Sequence, residues 1–99
     1  MSKSIEQLKN LGPKSAQMLF QVGIKTIEDL LKRGVVTTYL DVKLSGQAAS
    51  LNLLYAMFAG LQERHWTELE ADEKQQLLIE LEQQTQIREL INIDTSFSN

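Results

Sequence analysis

The run Lys9-Asn10-Leu11-Gly12-Pro13-Lys14-Ser15-Ala16 constrains the fold more than any other stretch of this chain. Pro13 has no N–H to leave unsatisfied and a φ already set for a first helical turn, so a helix starts there. Asn10 and Gly12 flank Leu11 just before it, and both residue types tolerate the positive φ of a tight reversal. Ala16 is small enough for another helix to lie across it. A short helix, a hairpin and a second helix follow from this pattern, the arrangement called a helix-hairpin-helix.

The hairpin also carries the chemistry that stands out. Successive N–H groups around Gly12 and the next helix start make a concavity suited to an anion. Lys14 adds a positive charge in that first turn, and Ser15 offers a hydroxyl. Asn10, Gly12, Lys14 and Ser15 are therefore the candidate nucleic-acid-binding residues, gripping backbone phosphate rather than reading bases. Gly12 is predicted to be required by the turn itself. Two features weigh against binding: Asn10 stands where such hairpins usually place glycine, and acidic Glu6 lies nearby. A hairpin that is purely architectural remains the other reading.

The helical pattern continues along the chain. Ser4 caps a first helix to Lys9, with Ile5 and Leu8 inward. Pro13 to Gln21 forms the second, with Ala16, Leu19 and Phe20 on one face and Gly23 as its stop. Thr26 caps a third helix with Asp29 three residues on, and Gly34 ends it. Val35 to Leu44 reads as a fourth, capped near Thr37 or Thr38. From Ser50 a nearly all-apolar helix runs to Leu61, a composition that places it through the middle of the bundle. Asn52 and Tyr55 on it either hydrogen-bond a neighbouring turn or face a partner.

Trp66 is expected to be the largest core anchor, sharing a core with Leu54 and Phe58, while His65 is a surface or cap residue. A sixth helix starts at Thr67 or, after a break, near Glu70, and turns Leu77, Leu78 and Leu81 inward. The polar run Glu82 to Gln86 interrupts that stripe, so the expected division is a helical domain over 1–84 and a partly helical tail over 85–99. Ile87, Leu90, Ile91 and Ile93 in the tail pack on a second copy or a partner, or else fold back on the same bundle. The expectation is an all-α bundle of about five to six helices.

Composition narrows the function. The chain has 99 residues, 42% of them hydrophobic, which suits one folded domain and excludes general disorder. It has no cysteine, so no disulfide or thiolate chemistry is expected. One histidine builds neither a closed metal site nor a triad, and no phosphate-binding glycine loop occurs. No catalytic residue, metal, cofactor or small-molecule substrate is expected, and the protein is not expected to be an enzyme. No long apolar run or leader pattern appears, so a cytoplasmic protein without membrane attachment is the expectation. Net charge is −3, split into +3 over residues 1–48 and −6 over 49–99. That division suits a small local contact with nucleic acid and not a whole-surface binder.

Several stretches resemble a known family. Asn10 to Ala16, Val22-Gly23-Ile24, Ile27-Glu28-Asp29-Leu30, Gly34-Val35, Tyr39-Leu40, Lys43, Gly46, Ser50 to Ala56 and His65-Trp66 resemble the C-terminal domain of the TfoX (Sxy) family of bacterial competence regulators. Gly23 to Leu30 is also similar to the C-terminal domain of the bacterial RNA polymerase α subunit. The resemblance implies a helix-hairpin-helix-like fold and a link to transcriptional control of DNA-uptake genes. It brings no catalytic or binding residues with it. The expected partners are DNA backbone, a protein of the transcription machinery, or a second copy of the chain.

Overall fold

Ile5 opens the fold by pairing its backbone with the other side of the hairpin unit. A computed structural model describes residues 3–97, and side chains through residue 91. Ser4 caps a 3-10 turn over Ile5–Gln7, its hydroxyl accepting from the Glu6 N–H at 3.3 Å. This single turn replaces the longer first helix expected up to Lys9, because Ile5 and Ile27 donate backbone bonds across to Lys25 and Lys3. That lateral bridge pairs Ser4 with Thr26.

Five α-helices follow: α1 (Pro13–Gln21), α2 (Ile27–Arg33), α3 (Val35–Leu44), α4 (Leu51–Leu61) and α5 (Ala71–Phe97). No strand occurs among the described residues, so the all-α reading holds. The α1 and α2 boundaries fall where the sequence puts them. Gly23, at φ 87°, stops α1 in the left-handed region. Thr26 and Asp29 form a reciprocal capping box at α2, with bonds of 3.0 and 3.1 Å. N–H groups of Lys25 and Thr26, with the Thr26 hydroxyl, hold the Asp29 carboxyl below the ordinary aspartate range.

Gly34 is shared between α2 and α3, at φ 90°, and caps α3 without a side chain. Neither threonine serves as the cap: Thr38 is fully buried, and the Thr37 hydroxyl donates to Gln84 of α5 at 2.9 Å. α4 is buried on several sides, through Leu53, Leu54, Ala56, Met57, Ala59 and Gly60. The hub, however, is α3, which packs against each of the other four helices. Val36, Tyr39 and Val42 supply its core face, joined by Ile5, Leu19, Ile24, Leu30, Leu54 and Met57.

Trp66 is not a core anchor. It is half-buried, lies outside the buried cluster and opens a second 3-10 turn, Trp66–Glu68. The exposed His65 caps that turn, its Nδ1 accepting from the Thr67 N–H. Leu69, three residues on, takes the buried place instead. The next helix starts after this break: the Glu70 N–H donates to the Glu73 carboxylate at 3.2 Å, the reach-back of a third-position acid.

α5 continues unbroken through the polar run Glu82 to Gln86, so the expected division at 84/85 falls inside one helix. Within that helix Gln84 bonds to Thr37, and Arg88 donates to Asp41 at 3.2 Å, which also accepts from Arg33. The tail therefore folds back along α3 as far as Arg88. Ile87, Leu90 and Ile91 are exposed, and Ile93 lies beyond the described side chains. A helix of 27 residues spans about 40 Å, nearly the full 45 Å length of the molecule.

The hairpin and α4 meet at Gly60, which the sequence reading passed over. A Cβ there would stand 2.5 Å from the Lys9 carbonyl oxygen and 2.9 Å from Leu8 Cγ. A backbone carbonyl cannot swing away as a flexible side chain does. Gly60→Ala is expected to destabilise the domain by about 1–3 kcal/mol, the usual cost of overpacking. A thermal melt checks this; an unchanged transition would mean that hairpin and α4 separate freely.

Candidate nucleic-acid interface

Gly12 is the pivot of the candidate site, and it adopts an ordinary conformation. Its φ of −91° and ψ of 178° are extended backbone, the usual state of a residue before proline. A Cβ built on it meets nothing within 4 Å. The expectation that the turn demands glycine here is therefore wrong. The positive φ sits at Asn10, at 77°, where asparagine is among the better-tolerated residues.

Asn10 pays out its whole side-chain amide inward. Its Nδ2 donates to the Arg64 carbonyl at 2.9 Å and to the Ala56 carbonyl at 3.3 Å, and its Oδ1 accepts from the Trp66 N–H at 3.2 Å. These bonds tie the hairpin to the middle of α4 and to the chain beyond that helix, more than 45 residues away. Asn10 is thus a clamp, and its amide does not face outward with the other three candidates. The sequence signal that pointed to this role was the asparagine itself, a polar side chain standing where a hairpin ordinarily needs none.

Gly12, Lys14 and Ser15 do come together, at the open start of α1. Gly12 and Lys14 are exposed and Ser15 is half-buried. No side chain caps α1, so the N–H groups of Lys14 and Ser15 in its first turn have no capping side chain. The surface there carries Gln17, Gln21 and Gln47 around Lys14, in a shallow depression with no acid on its rim. On the opposite side of the hairpin, Lys3 and Lys9 share a second depression with Glu63. Charge is therefore cleaner on the Lys14 side.

The clamp is braced by one ion pair. Arg64 reaches the Glu73 carboxylate with both terminal guanidinium nitrogens, at 2.7 and 2.9 Å, and also bonds the Glu68 carbonyl at 2.9 Å. This forked contact ties the residue held by Asn10 to the first turn of α5. The Arg64 guanidinium, and then the Glu70 N–H, push the Glu73 carboxyl down to about 2. Elsewhere, Tyr55 lies beneath the Lys74 ammonium at 5.4 Å, and Asn52 is exposed. Among the described residues no group of three or more metal-ligating side chains is assembled. No helix among them is long and apolar enough to cross a membrane.

The family model of the TfoX C-terminal domain matches residues 1–81 of the 99. The chain belongs to the TfoX C-terminal domain family. Membership connects it with competence regulation, and the matched span covers the hairpin, the clamp and the start of α5. No curated protein and no solved structure matches the chain.

Two expectations follow for the clamp. Asn10→Gly keeps the left-handed turn but takes the side-chain partner from the Arg64 carbonyl and the Trp66 N–H, so it is expected to cost about 1–3 kcal/mol by thermal or urea unfolding. A variant as stable as the parent would reduce Asn10 to a turn residue. The Glu73 carboxyl is depressed in the folded state, so its stabilisation is complete above the unfolded value of 4.5 and is lost as pH falls through about 2. Unfolding midpoints measured across that acid window should fall more steeply for the parent than for Glu73→Gln.

Proposed function

We propose that this domain is a non-catalytic regulatory module that holds nucleic-acid backbone weakly, and without regard to sequence, at the start of α1. The observation that carries the reading is the exposed Gly12–Lys14 corner, with uncapped first-turn N–H groups and open space above Gly12. Such a corner suits a phosphate, whose charge meets the helix dipole and the Lys14 ammonium together. Asn10 contributes by fixing the hairpin from behind. Sequence independence follows because phosphate contacts position a protein without reading base edges. In this reading the module acts in the cytoplasm, without cofactor or metal, as an adaptor in competence or transcription control.

A second reading is a protein–protein module with a structural hairpin. It is favoured by the apolar side chains that α5 leaves exposed, Ile87 at 55% and Leu90 at 60%. A partner in the transcription machinery or a second copy would cover them. Nucleic-acid binding separates the two readings.

Few phosphates fit at one corner, so log K against log salt for duplex DNA should have a shallow slope of about −2 to −3, at ~0.9 per phosphate. Lys14→Glu should abolish binding while the melting temperature stays unchanged, because the residue is exposed and an acid suits a first helical turn. Gly12→Ala should fold normally, given its extended backbone and open surroundings. Equal binding by the Lys14 variant, or no binding at low salt, would leave only the protein-contact reading.

A further inference from the structure

The chain's single tryptophan stands beside the hairpin without belonging to the core. Its backbone N–H is one of the three groups that Asn10 holds, so Trp66 is tethered to the turn of the candidate phosphate site. The His65 ring stacks on the indole, with centroids 6.1 Å apart and planes 28° from parallel. His65 is itself fixed: its Nδ1 accepts from the Thr67 N–H at 3.3 Å and lies 2.7 Å from the Thr67 hydroxyl. A half-buried indole and an exposed imidazole are therefore held in place as a pair. Ordering such rings has a cost in side-chain freedom that their burial here does not return through the core.

We infer that the His65–Trp66 pair is a stacking platform for an unpaired base, and that the nucleic acid this domain prefers is single-stranded. The inference rests on the hairpin reading, because Asn10 joins the pair to the same hairpin that carries Gly12 and Lys14. Flat π surfaces bind bases of any identity by stacking, and single-strand sites join such surfaces to a few cations. A base inside a duplex offers no free face, so only an unpaired one extends the stack. The surroundings favour a base over an apolar protein partner: Glu63, Thr67 and Glu68 next to the pair are exposed and polar, and no large apolar side chain among residues 62–68 accompanies it. Those acids also disfavour the dense phosphate lattice of a duplex. Lys9 is the exposed cation on the adjoining loop.

Trp66 serves as its own reporter, since no other tryptophan contributes to emission. Oligothymidylate and a duplex of equal length are titrated at low salt into the full chain. The expected result is quenched emission and protection from acrylamide with oligothymidylate, together with tighter binding than to the duplex. Trp66→Leu, followed by the anisotropy of a labelled strand, should weaken single-strand binding about tenfold. Duplex binding should stay unchanged. Trp66→Phe, which keeps an aromatic face, should retain most of the affinity, and the acrylamide measurement on the parent chain needs no variant to fold. Binding that depends on Lys14 but leaves Trp66 emission and acrylamide access unchanged overturns the platform and spares the hairpin reading. Failure of both nucleic acids to bind overturns both.

Discussion

The contact between the hairpin and the end of α4 is the constraint on which the other features depend. Gly60 lets the two backbones approach to a distance no side chain would allow, and Asn10 fills the space beside that crossing with three hydrogen bonds. Removing a partner from such a half-buried polar set leaves groups without their protein partner, at a cost that water offsets only in part. The clamp therefore fixes the hairpin's angle and the path of residues 64–66 at once. Arg64 then carries the same constraint into α5 through its forked pair with Glu73. Hairpin, α4 and α5 are positioned by one continuous chain of contacts.

A second chain of polar contacts runs on the far side of α3. Arg33 of α2 bonds both the Val22 carbonyl, just after α1, and Asp41 of α3, while Arg88 of α5 shares the same aspartate. These side chains are about a third exposed, so the pairs stabilise modestly and act mainly to set direction. Their effect is geometric: α5 is aligned along α3 far past its last buried leucine, Leu77. The exposed isoleucines and leucine of that extension then occupy a defined surface and not a loose end.

The functional reading follows from what each side of the hairpin is used for. The inner side is consumed by packing against Gly60 and by the clamp, which disposes of Asn10 as a ligand-facing group. The outer side, Gly12 to Lys14, keeps its N–H groups and charge for solvent. A purely architectural turn needs only the inner side. The acidic half of the chain lies largely in and around α5.

Local rules in the sequence determined the helix boundaries at Pro13, Gly23, Thr26 and Gly34, because proline, left-handed glycine and side-chain caps act over a few residues. They also determined the all-α class and the apolar character of α4. Tertiary structure decided the rest. The role of Asn10 needed partners more than 45 residues away, and the need for glycine at position 60 arises only from the carbonyl of Lys9. Trp66 has the size of a core residue, but the bond from its N–H to Asn10 and the 3-10 turn that follows hold it at the margin, leaving Leu69 to be buried. The polar run at 82–86 breaks a hydrophobic stripe without breaking a helix, since α3 supplies polar partners within it, Thr37 to Gln84, and just past it, Asp41 to Arg88. A sequence specifies what one residue does to its neighbours, whereas the place of a polar or aromatic side chain depends on what the folded chain brings opposite it.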